Sequence, residues 1–166
     1  MLETAANCEW YIVFRSYGQV ITWLIVIGGW FIINHHNNLR ENRKEIRSSL
    51  DALKAELLAL EVLSLSYHKE SVHDDSTARE IRLLIVRISN FLERLAIGNK
   101  RVINEKVIEL RKAVTLNNFD THTHESMENN SEFIGNISYA IDELYMYMET
   151  QYSHKYLKRK KLFCNA

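Results

Sequence analysis

Charge vanishes from the chain between Val20 and Ile33, a fourteen-residue run reading VITWLIVIGGWFII. A hydrocarbon core of ~30 Å needs roughly 17–25 helical residues, so this run alone is short of a span. Upstream, Trp10-Tyr11-Ile12-Val13-Phe14 extends it, and Arg15 and Gln19 are the only strongly polar residues between. The pattern therefore predicts a spanning helix from about Ile12 to Ile33, with Arg15 snorkelling to the near surface and Trp10, Tyr11 and Tyr17 in one interfacial belt. The alternatives are a buried core helix and a signal peptide. The second lacks a basic leading region, because the charges follow the apolar run instead of preceding it.

A heptad can be counted from Gly18 onward. Gly18, Ile25, Ile32, Leu39, Ile46, Leu53 and Leu60 occupy one core position, and Thr22, Gly29, His36, Arg43, Leu50 and Leu57 the other. Only His36 and Arg43 break the apolar-or-small rule. One unbroken stripe predicts one helix from about Ile12 to Tyr67, small residues permitting close approach within the membrane and Leu and Ile packing knobs-into-holes beyond it. Two partners fit the stripe: the same helix of other chains in parallel, or this chain's own later helices. The first makes Gly29, His36, Arg43, Ile46, Leu50, Leu53, Leu57 and Leu60 a seam between protomers. The mixed Leu/Ile core then allows more than two strands, a tetramer included. Arg43 side chains ringed about one axis would repel, and Gly28-Gly29 can bend, so a gate is expected between Gly29 and Arg43.

Leu58, Val62, Leu63 and Leu65 lie off the stripe and widen the apolar surface where later helices are expected to pack. His68 to Asp75 is polar and reads as a loop. Thr77-Ala78-Arg79-Glu80 is a capping-box pattern. Ile81, Leu84, Ile85, Ile88, Phe91, Leu92 and Leu95 then repeat at helical spacing, and Gly98 follows as a C-cap. A further helix is predicted from about Arg101 to Leu116, a polar loop from Asn117 to Asn130, and a long last helix from near Ser131. Its buried face is Phe133, Ile134, Ile137, Ile141, Leu144, Tyr145, Met148 and Tyr152. The fold class is all-α. A tail and transmembrane helix fill residues 1–33, a coiled-coil-like helix 34–67, and a small cytoplasmic helical domain 68–166.

Composition and charge add orientation. There is no proline in 166 residues and only five glycines, so little interrupts helix. Glu3, Glu9 and Arg15 precede the span, whereas Arg40, Arg43, Lys44 and Arg47 follow it. Positive charge stays inside, so the N-terminus is expected outside and the C-terminal domain in the cytoplasm, as in a single-pass inner-membrane protein. Cys8 and Cys164 then lie on opposite sides and do not pair within a chain. The formal net charge is zero, so no global field points to duplex nucleic acid.

Chemistry is sparse. Asp120, His122, His124 and Glu125 are ligand-type residues in a loop without fixed geometry, and His73-Asp74-Asp75 is a second polar cluster; a solvated loop is the simpler reading of both. No phosphate loop, dinucleotide fingerprint, nucleophile elbow or zinc-protease motif is present, so neither an enzyme nor a cofactor is expected. Three features could bind. Arg79, Arg82, Arg87 and Arg94, followed by Lys100 and Arg101, suit phosphate; the alternative is a solvated face paired with Glu80 and Glu93. Tyr139, Tyr145, Tyr147, Tyr152 and Tyr156 either stack on bases or fill core. The basic run Lys155 to Lys161 suits anionic lipid or is a solvated tail.

The VITWLIVIGGWFII span, the basic NLRENRKEIR segment after it and the compact C-terminal domain together resemble the small membrane effectors of bacterial antiviral defence. Among these are the cyclic-oligoadenylate-gated effectors attached to type III CRISPR systems. The resemblance implies an oligomeric effector whose cytoplasmic domain senses a nucleotide messenger and whose spans perturb the membrane. The alternative is a non-enzymatic anchor or scaffold that docks a protein partner.

Overall fold

The computed structural model describes residues 3–116, 118–119, 124–128 and 131–157, with side chains from residue 17 onward. Its secondary structure is helical: α1 (Glu3–Lys69), α2 (Asp75–Leu95), α3 (Lys100–Thr115) and α4 (Glu132–Tyr156). The chain forms two compact units, residues 1–45 and 46–166. Residues 46–69 of α1 belong to the second unit.

In the first unit α1 carries the uncharged run. Its side chains stand outward on every side: Trp23, Leu24, Ile25, Trp30, Phe31, Ile32 and Ile33 are each more than half exposed. A Cβ added at Gly18, Gly28 or Gly29 would meet nothing within 4 Å. The helix is long and apolar enough to cross a membrane.

The second unit is an antiparallel bundle of α1 from Ile46, α2, α3 and α4. Cross-helix contacts set the order. Arg87 of α2 reaches Glu56 of α1 at 3.4 Å, Lys106 of α3 meets Glu143 of α4 at 2.8 Å, and Arg47 at the start of this part of α1 meets Glu149 late in α4 at 2.9 Å. At the other end the His68 ring stands edge-on to Phe133 at the start of α4. Apolar residues at helical spacing fill the middle: Leu50, Leu53, Leu57 and Leu60 from α1, Ile81, Ile88 and Leu92 from α2, Leu110 from α3, and Ile137, Leu144 and Met148 from α4, none more than 1% exposed. Each such side chain contributes about 1.5–3 kcal/mol on burial.

This packing shows what covers the leucines of the heptad stripe within one chain. Leu50, Leu53, Leu57 and Leu60 are enclosed by their own chain, and Ile46 packs against the same core. The four leucines are at most 1% exposed, and Ile46 is half-buried. Leu58 and Val62, expected under the later helices, remain 48% and 69% exposed. The bundle packs on the heptad face, and these two lie on another.

Helix ends differ from the motif reading for reasons of local hydrogen bonding. Asp74, not Thr77, caps α2: its carboxylate accepts from the backbone N–H groups of Ser76 and Thr77, and both hydroxyls donate to it as well. These bonds favour the ionised form and hold the Asp74 carboxyl down at about 2. Ala96, not Gly98, takes the left-handed position after α2, with φ 46°. Gly98 lies further into the turn at φ 91°, where an added Cβ would stand 2.9 Å from Gln151 Cγ. Asn99 then caps α3 and Ser131 caps α4.

Candidate membrane span and binding surfaces

The heptad does not stop at Leu60. Continuing it reaches Ser64 and Tyr67, and both are buried. His68, assigned to a loop by its polarity, is the last buried residue of α1. Its ring bridges to the α3–α4 connection: Nε2–H donates to the Val114 carbonyl at 2.9 Å, and Nδ1 accepts from the Asn118 amide at 3.3 Å. Burial pushes the His68 pKa down, opposed by the bond to Val114. Asn118 in turn clamps Glu125, donating to its carbonyl at 2.8 Å and accepting from its N–H at 2.7 Å.

That connection also closes the C-terminal end of α1. The last carbonyls of a helix lack intrahelical donors. Here Met127 N–H donates to the His68 carbonyl, Ser126 Oγ donates to the Lys69 carbonyl, and the His124 ring faces the Glu70 carbonyl at 3.0 Å. His124, read as a ligand-type residue, therefore serves a capping connection. Asp120 and His122 lie outside the described residues. Among the described residues no group of three His, Cys, Asp or Glu could hold a metal ion. His73 stands between Asp75 (2.9 Å) and the Tyr67 hydroxyl (2.6 Å), and that hydroxyl is itself enclosed.

The cationic residues are surface residues of α2 and α3, and most have protein partners. Arg87 pairs with Glu56, Lys100 with Glu93 and Arg101 with Glu105. Arg82 lies over the Phe119 ring, 5.1 Å from its centre. Arg79 and Arg94 are exposed on α2. The six are not drawn into one pocket. A cleft of about 400 Å³ does open between α2 and α3, with Leu92, Ile103 and Val107 in its wall and Asn90, Glu93, Lys100 and Asn104 at its polar edge; Lys100 is the only predicted ligand-binding residue lining it.

Among the described residues, two apolar surfaces bear on function. One is the run 17–33 of the first unit, where Thr22 Oγ1 donates to the Gly18 carbonyl at 2.8 Å, hiding its polarity. The other lies on the second unit, in a groove between α1 and α2 lined by Ala52, Ala55, Leu58, Ala59 and Val62 and edged by Glu56, Glu80 and Arg87; Leu83 and Val86 are also exposed on α2. In the first unit, His36 and Arg43 are exposed; the Arg43 side chain donates to the Leu39 carbonyl at 3.4 Å. No family model, curated protein or solved structure matches the chain.

Proposed function

We propose that the chain is a single-pass membrane protein whose helical bundle acts as a non-catalytic binding module at the membrane surface, docking a protein partner. The observation that carries this is the outward, uncharged surface of residues 17–33. Contiguous apolar patches of this extent are rare on soluble monomers, and lipid removes their cost. The α1–α2 groove supports the docking half of the reading: its small-residue lining leaves holes that a partner helix could fill. The charge asymmetry about the span favours N-terminus out and bundle in the cytoplasm.

A second reading is the ligand-gated oligomeric effector, with a cyclic oligoadenylate or related phosphate-rich messenger. It is favoured by the open face of Gly18, Gly28 and Gly29, which leaves room for spans to meet. On this reading protomers associate through the spans, and the gate lies between Gly29 and Arg43. The leucines of the bundle take no part.

One measurement tests the topology both readings share, and a second separates them. A thiol reagent that cannot cross membranes should label Cys8 in intact cells and spare Cys164; the reverse labelling overturns the orientation. Vesicles reconstituted with the chain should hold an encapsulated dye when cyclic oligoadenylate is added. Dye release would favour the effector instead.

A further inference from the structure

The cleft between α2 and α3 is closed at one end by the turn that joins them. Ala96 takes the left-handed position after α2, Ile97 is 1% exposed, and Asn99 caps α3. The Asn99 N–H also donates to Tyr147 Oη of α4 at 3.0 Å. The turn is thereby fixed to the bundle, and the two helices hold open a space of about 400 Å³ beside it. That volume is within the range of small-molecule sites. Its lining has two characters. Leu92, Ile103 and Val107 make an apolar wall, whereas the rim carries one acid, Glu93, one base, Lys100, and the side-chain amides of Asn90 and Asn104. Glu93 ends on α2 and Lys100 opens α3, and their side chains meet across the turn at 3.1 Å. They are 68% and 77% exposed, so water screens the pair and it opens at little cost.

We propose that the cleft binds a free apolar α-amino acid. The ligand's carboxylate meets the Lys100 ammonium, its ammonium meets the Glu93 carboxylate, and its side chain lies on Leu92, Ile103 and Val107. An α-amino acid carries both charges on one carbon, so it replaces the single Lys100–Glu93 contact with two of the same kind. A simple anion would meet Lys100 but be repelled by Glu93, and a simple cation the reverse. An uncharged ligand would use the wall and leave the rim pair as it is. The Asn90 and Asn104 amides can each donate and accept, which suits the remaining oxygen and protons of the ligand's polar end. The site lies wholly within the second unit and is independent of the span.

Isothermal titration calorimetry of the detergent-solubilised full chain, with L-phenylalanine and L-leucine as probes, tests the site. Saturable heat in the micromolar to millimolar range is expected. N-acetyl-L-phenylalanine lacks the ammonium and phenethylamine lacks the carboxylate, and each should bind roughly tenfold more weakly than L-phenylalanine. Glu93→Gln should erase the preference against the acetylated ligand, and Lys100→Gln the preference against the amine. Each variant should leave the other preference in place. Both positions are exposed, and circular dichroism checks that the variants keep their helices. Absence of saturable heat with both amino acids at millimolar concentration overturns the site. So do equal affinities for the three phenyl ligands, which would place binding on the apolar wall alone. Preferences that survive in both variants also overturn it, because the zwitterion would then be held elsewhere.

Discussion

Replacing Leu57 by Ala distinguishes a leucine inside its own bundle from one in a seam between chains. The Leu57 side chain is 1% exposed within a single chain, in the same core as Leu53, Leu60, Ile88 and Leu144. Deleting a buried leucine loses its transfer free energy and leaves a cavity, at a cost of about 2–5 kcal/mol. A domain of this kind has a total stability of only about 5–15 kcal/mol. For a bundle of this length each kcal/mol moves the midpoint by roughly 3–6 °C, so a fall of roughly 6–30 °C is expected. Leu58→Ala is the control: that side chain is 48% exposed, and it should cost under about 1 kcal/mol. The assay is thermal unfolding of the detergent-solubilised chain by circular dichroism, with its mass read in parallel by light scattering. A lowered midpoint at unchanged mass is the expected outcome. An unchanged midpoint with a smaller assembly would refute the packing argument and restore the inter-chain seam.

Three other perturbations follow from single residues. His68 is held neutral by burial with its pKa below the ordinary value, so the native state binds fewer protons than the unfolded state. Its contribution is complete above about pH 6.5 and is lost as pH falls through that value toward the folded one. Unfolding midpoints should drop between pH 8 and pH 5 and drop less in His68→Gln; equal slopes would contradict this. Ser64 Oγ is buried without a hydrogen-bond partner among the described residues, so Ser64→Ala should raise stability by about 1 kcal/mol in a urea titration, and a loss would contradict this. Gly98→Ala puts a Cβ at φ 91°, 2.9 Å from Gln151 Cγ and 3.1 Å from Tyr147 Oη. It should cost about 1–3 kcal/mol in the same titration, and a neutral result would mean the turn relaxes freely.

Periodicity revealed which face of α2 and α4 is apolar, and both helices bury most of the face it marked. It could not say what covers a face. The α1 stripe is equally regular whether another chain or this chain's own helices pack on it, and the structure shows the latter for Leu50 to Leu60. Polarity misled at the end of α1. His68 reads as solvent-facing, yet its two nitrogens find partners at Val114 and Asn118, residues 46 and 50 positions away. Following the heptad two steps past Leu60 would have placed Ser64 and Tyr67 in the core. The capping box was outcompeted because Asp74 gathers two N–H groups and two hydroxyls. Of the carboxylates named as partners of the cationic face, Glu93 pairs with Lys100; Glu56 could not be named from pattern, being 31 positions from Arg87.

The central claim is that residues 17–33 lie in lipid and hold the bundle at a membrane. Alkaline carbonate extraction of membranes from cells making the full chain tests it most directly, because carbonate strips peripheral proteins and leaves spanning ones. The account predicts that the chain stays in the pellet, and that replacing Ile25 and Val26 by Asp moves it to the supernatant, each buried charge costing about 2.5–3.5 kcal/mol at the centre of a span. Release of the unaltered chain into the supernatant would contradict it.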